Sequence, residues 1–212
     1  MKLYLSSYRI PNSSELFELL DKKPSDVKVA VIPNAKDYYS DYVKNLKNAD
    51  LLSYLEALGL THCETVDLND YSYRSKSVLK EKLQEFDLIW VNGGNTFCLR
   101  YAMSRSGFDQ VIRGVVDAGV VYGGESAGAI VAGNTIKGAE LADEPRFAQE
   151  QIYNGLSLVD AYIVPHTDSA EWADIMEQIQ AEYDGPDPVV ALQDSQAFMV
   201  NDASRQVVGN KA

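Results

Sequence analysis

Residues 120–130, Val-Val-Tyr-Gly-Gly-Glu-Ser-Ala-Gly-Ala-Ile, constrain the fold more than any other stretch of the chain. A β-branched run enters Gly-x-Ser-x-Gly, and a small, apolar, helix-compatible run leaves it. A strand that turns sharply into a helix, with a serine at the bend, has this pattern, a strand–nucleophile–helix elbow. Gly124 and Gly128 keep side chains out of the bend, so the Ser126 hydroxyl stands at the carboxyl end of a strand. A hydroxyl so placed can attack a carbonyl if a base takes its proton and N–H donors hold the oxyanion.

The flanking sequence reads as strands alternating with helices. Strands are expected at residues 2–7, 27–32, 63–68, 87–91, 120–122 and 162–164. Helices are expected from 12 to 22, from 37 to 58, from 75 to 86, from 97 to 104, onward to Gly119, and from 169 to 183. In the second helix Tyr42, Leu46, Ala49, Leu52 and Leu55 recur at helical spacing; in the third, Val78, Leu79 and Leu83 do. Short strands at 189–192, 197–200 and 206–208, with turns at Asp194-Ser195 and Asp202-Ala203-Ser204, predict a C-terminal antiparallel meander. The fold class expected is α/β: a doubly wound, mostly parallel sheet with a short antiparallel extension. At 212 residues and 46% hydrophobic content, a single domain with a full core is expected.

Charge narrows the partners. With 31 acidic and 19 basic residues the net charge is −12, which disfavours nucleic acid and anionic membranes. No segment has the length and apolarity of a membrane span, and the N-terminus reads as a strand, not a signal peptide, so a cytoplasmic location is expected. Cys63 and Cys98 lack metal-ligand spacing and read as free thiols; no metal and no cofactor is expected. The chain is expected to act as a monomer or homodimer.

The base must come from two histidines. His166 follows the strand 162–164 and so falls on the sheet edge that carries Ser126, whereas His62 starts a strand and falls on the other edge. His166 is therefore assigned as the base, although a loop histidine beside Pro165 also fits a structural role. Its second nitrogen needs an acceptor. The polar loop 137–150 offers Glu140, Asp143, Glu144 and Glu150, and Asp143-Glu144-Pro145 is the preferred stretch because Pro145 restrains the backbone; each also fits a solvated loop. Ala127 and Gly94 are candidate oxyanion donors, though a Gly-Gly turn could equally hold a phosphate. Glu125 could meet a substrate amine, point into solvent, or raise the histidine pKa.

Val91-Asn92-Gly93-Gly94-Asn95-Thr96-Phe97, then Gly124-Glu125-Ser126-Ala127-Gly128-Ala129, then Pro165-His166 resembles the dipeptidase E family of serine peptidases (peptidase family S51), which also contains the cyanophycinases. The resemblance implies a flavodoxin-like sheet related to glutamine amidotransferase domains. It implies a metal-free Ser-His-acid peptidase acting on small peptides, with Ser126 the nucleophile, His166 the base, Asp143 the acid, and Gly94 and Ala127 the oxyanion donors. Asn95 would be a substrate-side contact. Cyanophycinase-like cleavage of β-aspartyl peptides, esterase activity and a non-catalytic binding domain are the alternatives. In dipeptidase E a basic segment after the histidine is associated with N-terminal aspartate. Here residues 167–174 contain no basic residue, and Arg146, Lys137 or Arg100 would have to replace that charge.

Overall fold

The computed structural model describes residues 1–209. The main sheet has seven strands, ordered β3-β2-β4-β5-β1-β8-β9. The five parallel strands are β1 (Lys2–Ser6), β2 (Lys28–Ile32), β3 (His62–Thr65), β4 (Leu88–Val91) and β5 (Val121–Glu125). At that edge β8 (Gln196–Asn201) pairs antiparallel with β1, and β9 (Ser204–Gly209) pairs antiparallel with β8.

The apolar runs are continuous because both faces are covered. Alternate residues serve opposite cores: Val29, Val31, Leu88 and Trp90 face one, and Ala30, Ile32, Ile89 and Val91 face the other. The first core is closed by α1 (Ser13–Leu20) and α2 (Asp41–Ala57), through Leu16, Leu19, Leu51 and Leu55. The second is closed by α3 (Lys76–Leu83), α4 (Thr96–Ser106) and α5 (Phe108–Asp117). The elbow helix α6 spans Ala127–Ile130, and α7 spans Ala173–Glu182.

Three sequence expectations shift. The second helix begins at Asp41, because a 3-10 turn at Asn34–Lys36 follows β2 and Ser40 caps the helix by accepting from the Val43 N–H. Its buried face carries Leu51 and Leu55; Tyr42 (77% exposed) and Leu46 (60%) face outward, as does Val78 on α3. Of the three short C-terminal strands, β7 (Val189–Ala191) does not join the meander. It pairs in parallel with β6 (Tyr162–Val164), in a separate two-stranded sheet.

The C-terminal hairpin matters most for the site. Because β8 is antiparallel to β1, with Ser6 opposite Ala197, β8 begins where β1 ends. The turn before β8 therefore lies at the carboxyl edge of the parallel strands, the edge where ligands sit in such sheets.

Candidate active site

Ser126 sits between β5 and α6 with φ +51° and ψ −114°, a conformation that costs a non-glycine residue about 1–3 kcal/mol. The surroundings hold it there. The Ser126 N–H donates to the Ser6 carbonyl at 3.0 Å, and its own carbonyl accepts from Ala129 and Ile130. Gly128 is needed for close approach: a Cβ there would stand 2.3 Å from the Val91 carbonyl oxygen.

The Ser126 Oγ lies 2.9 Å from His166 Nε2. His166 follows β6 and Pro165, at φ +60°. Its backbone N–H donates to Ser7 Oγ at 2.7 Å, which ties the loop after β6 to the end of β1. The other ring nitrogen, Nδ1, lies 2.6 Å from Asp194 Oδ1. That oxygen also accepts from the Ser7 hydroxyl at 2.8 Å, and the Asp194 N–H donates to Asp168 Oδ1 at 2.8 Å. Since the Ser7 hydrogen is committed to Asp194, an ionised Asp194 takes its second hydrogen bond from Nδ1–H. Nε2 is then left as the acceptor that faces the serine hydroxyl.

The carboxylate in contact with His166 Nδ1 is thus Asp194, not Asp143, the residue expected there. Asp143 accepts from the Thr96 N–H at 2.8 Å, at the start of α4. Burial raises its pKa above the ordinary value, against the hydrogen bond from Thr96 and the nearby His166. Glu144 pairs with Arg146 at the surface, and Glu140 accepts from the Gly138 N–H. The loop 137–150 forms a wall of the cleft, through Asp143 and Glu144, while Nδ1 is met by Asp194. Ser7 and Asp194 were both missed. The strand-like spacing after Asp194-Ser195 was the available signal, since a strand antiparallel to the rest starts at the ligand edge.

Gly94 lines the same cleft as Ser126, with φ +142°; a Cβ there would meet the Ala35 carbonyl oxygen at 2.4 Å. Ala127 opens α6, where a backbone N–H has no partner within the helix. Asn95, expected as a substrate contact, lines the cleft but is 4% exposed. Both ends of its amide are occupied: Oδ1 caps α4 by accepting from Cys98 N–H at 2.9 Å, and Nδ2 donates to the Glu144 carbonyl at 3.1 Å. Glu125 does not point into solvent. It is 7% exposed, and its carboxylate accepts from the Arg9 N–H at 2.9 Å and the Gly93 N–H at 3.4 Å, bracing two loops against each other.

A cleft of about 350 Å³ opens beside Ser126 and His166. Its walls are largely apolar, from Tyr38, Ile130, Phe147, Trp172 and Met176, with Asp143 and Glu144 adding carboxylates. None of the three cations considered for substrate charge stands free in it. Arg100 is buried on Asp109 and the Asn154 carbonyl, Arg146 is bound to Glu144, and Lys137 lines a different hollow with Glu140 and Tyr162. Among the described residues, no helix is long and apolar enough to cross a membrane.

The profile of Peptidase family S51 matches residues 6–208. An uncharacterised peptidase of Pasteurella multocida is 32% identical over 146 residues, 68% of this chain and 70% of its own length. One from Listeria monocytogenes is 31% identical over 188 residues, 87% of each chain. The crystal structure of a candidate peptidase E from Listeria monocytogenes superposes with a TM-score of 0.80 at 28% identity, covering 99% of this chain and 98% of that one. A match that runs nearly the whole length, with relatives of that similarity, establishes that this chain belongs to peptidase family S51.

Proposed function

We propose that the chain is a serine-type peptidase that hydrolyses small peptides through an acyl-enzyme, with Ser126 as nucleophile, His166 as general base and Asp194 as the acid. The observation that carries this is the unbroken series of short contacts, 2.9 Å from serine to histidine and 2.6 Å from histidine to aspartate. In this reading Ser126 Oγ attacks the peptide carbonyl while Nε2 takes its proton. Asp194 stabilises the imidazolium so formed. The N–H groups of Gly94 and Ala127 hold the oxyanion, each such donor being worth about 10²–10³ in rate. The imidazolium then protonates the leaving amine, and water, deprotonated by the same nitrogen, releases the acyl group.

The apolar cleft with Asp143 and Glu144 suits the N-terminal residue of a short peptide. Its α-ammonium would meet the carboxylates and its side chain the aromatic wall. The lack of a free cation there argues against a preference for N-terminal aspartate. The test is covalent labelling by a fluorophosphonate, with turnover of α-aspartyl, β-aspartyl and neutral dipeptides and a nitrophenyl ester. Mass added at Ser126, and loss of several orders of magnitude of dipeptidase activity in a folded Ser126→Ala variant, is the expected result. Unchanged turnover in that variant sinks the proposal; turnover confined to β-aspartyl peptides or the ester replaces the substrate class.

A further inference from the structure

Ser126 and His166 border a second hollow, of about 430 Å³, that shares Gly94 and Trp172 with the first. Its remaining lining has the opposite character. Arg9, Lys36 and Lys47 contribute three cations, and Asp50 and Glu125 two carboxylates. Both carboxylates are engaged: Asp50 takes Arg9 Nη2 at 2.6 Å, and Glu125 accepts from backbone N–H groups. The cations are less well served. Arg9 Nη1 is buried without a hydrogen-bond partner among the described residues. Lys36 is half-buried, and burial, with the neighbouring Arg9 and Lys47 charges, lowers its pKa; attraction to Glu125 and Asp50 opposes this, and among the described residues its ammonium has no hydrogen-bond partner. One buried donor without a partner, beside a half-buried lysine, makes the hollow a site poised for an anion.

The position of Lys36 is set by the fold. It closes the 3-10 turn after β2, and the carbonyl of the preceding Ala35 accepts from the Asn95 N–H at 2.7 Å. The turn is thereby locked to the start of α4, which also carries the Asp143 contact. The two hollows meet at the serine, one lined by carboxylates without a free cation, the other by cations. We infer that the second hollow is the subsite for the leaving residue of a dipeptide, in which Lys36 and Arg9 Nη1 bind its free C-terminal carboxylate. The inference rests on the peptidase reading above. It makes the site a ruler: with the amino end held by Asp143 and Glu144 and the carboxylate by Lys36 and Arg9, one residue fits on each side of the scissile bond.

The test is calorimetric binding of Ala-Leu and Asp-Leu, each as free acid and as C-terminal amide, to Ser126→Ala protein. The acids are expected to bind about tenfold or more tightly than the amides, the range for a hydrogen bond to a charged group. Adding Lys36→Gln is expected to bring that ratio close to one, with the far-ultraviolet circular dichroism unchanged. Equal affinity for acid and amide, or no binding of any of the four, overturns the inference. A ratio that survives Lys36→Gln overturns the role of Lys36. If the unsubstituted chain neither labels at Ser126 nor cleaves peptides while the acid-to-amide ratio persists, the peptidase reading fails and the carboxylate subsite stands.

Discussion

Replacing Asp194 by asparagine is the sharpest test of the arrangement around His166. The substitution keeps the shape of the side chain and removes the charge. In the folded protein Asp194 Oδ1 lies 2.6 Å from Nδ1, and the two side chains are 39% and 15% exposed. A half-exposed setting calls for an effective dielectric of about 20, at which unit charges about 4 Å apart attract by about 4 kcal/mol. The attraction exists only once the imidazole is protonated, as it becomes in the proposed reaction when it takes the serine proton. Losing it therefore lowers kcat by about 10³-fold. Asparagine can also turn its amide N–H₂ toward Nδ1 and favour the wrong tautomer, which extends the loss toward about 10⁴-fold. Stability should change little while the asparagine keeps its carbonyl oxygen in the place of Oδ1, where Ser7 can still donate to it. The assay is steady-state hydrolysis of a dipeptide that the native chain cleaves, together with the rate of fluorophosphonate labelling. Both should fall together, with KM nearly constant. If Asp194→Asn keeps activity within about tenfold while Asp143→Asn abolishes labelling, the assignment of the acid to the turn before β8 is wrong.

Three further outcomes follow from the same contacts. Gly94→Ala should destabilise by about 2 kcal/mol or more, since its Cβ would meet the Ala35 carbonyl at 2.4 Å and φ is +142°; the displaced N–H should also cost about 10²-fold in kcat, read by thermal unfolding and kinetics. Lys44→Met should cost about 2 kcal/mol near pH 7, because Lys44 reaches Asp37 and Asp67 at 2.5 Å each and neither carboxylate would keep that partner. Burial alone would raise Asp67, but hydrogen bonds from Lys44, Asn34 and Asn69 outweigh it and hold its pKa below 3.8. A depressed carboxylate contributes stability above its unfolded value and loses it as pH falls through the folded one, so the Lys44→Met penalty should shrink below pH 3.8; a penalty constant with pH refutes the pairing. Asp143 behaves oppositely. Its pKa is raised from 3.8 by burial, so its ionisation opposes folding as pH rises, and Asp143→Asn should raise Tm at pH 7 but not below pH 3.8.

Much of the architecture could be read along the chain because it is encoded locally. Apolar runs such as 27–32 and 87–91 make buried strands whatever their neighbours, and Gly-x-Ser-x-Gly makes a tight bend wherever it stands. The choice of His166 over His62 needed only chain direction: one follows its strand and the other starts one, and the structure puts His62 at the first residue of β3. Tyr42 and Leu46 misled because a long surface helix can carry apolar residues outside its buried stripe, and composition does not say which stripe faces the sheet.

What spacing could not supply was the pairing of distant segments. Asp194 reads as an ordinary turn residue until β8 is laid antiparallel on β1, which brings residue 194 against Ser7, a contact across 187 positions. Lys36 and Arg9 come together only when the turn after β2 and the loop after β1 close around the same serine. The chain by itself determined which residues make strands, which make helices, and where the bend with its hydroxyl would fall, because those depend on neighbours a few positions away. Only the tertiary structure decided which carboxylate meets the histidine and where the cations face, because several charged turns satisfy the same local rules and strand pairing selects among them.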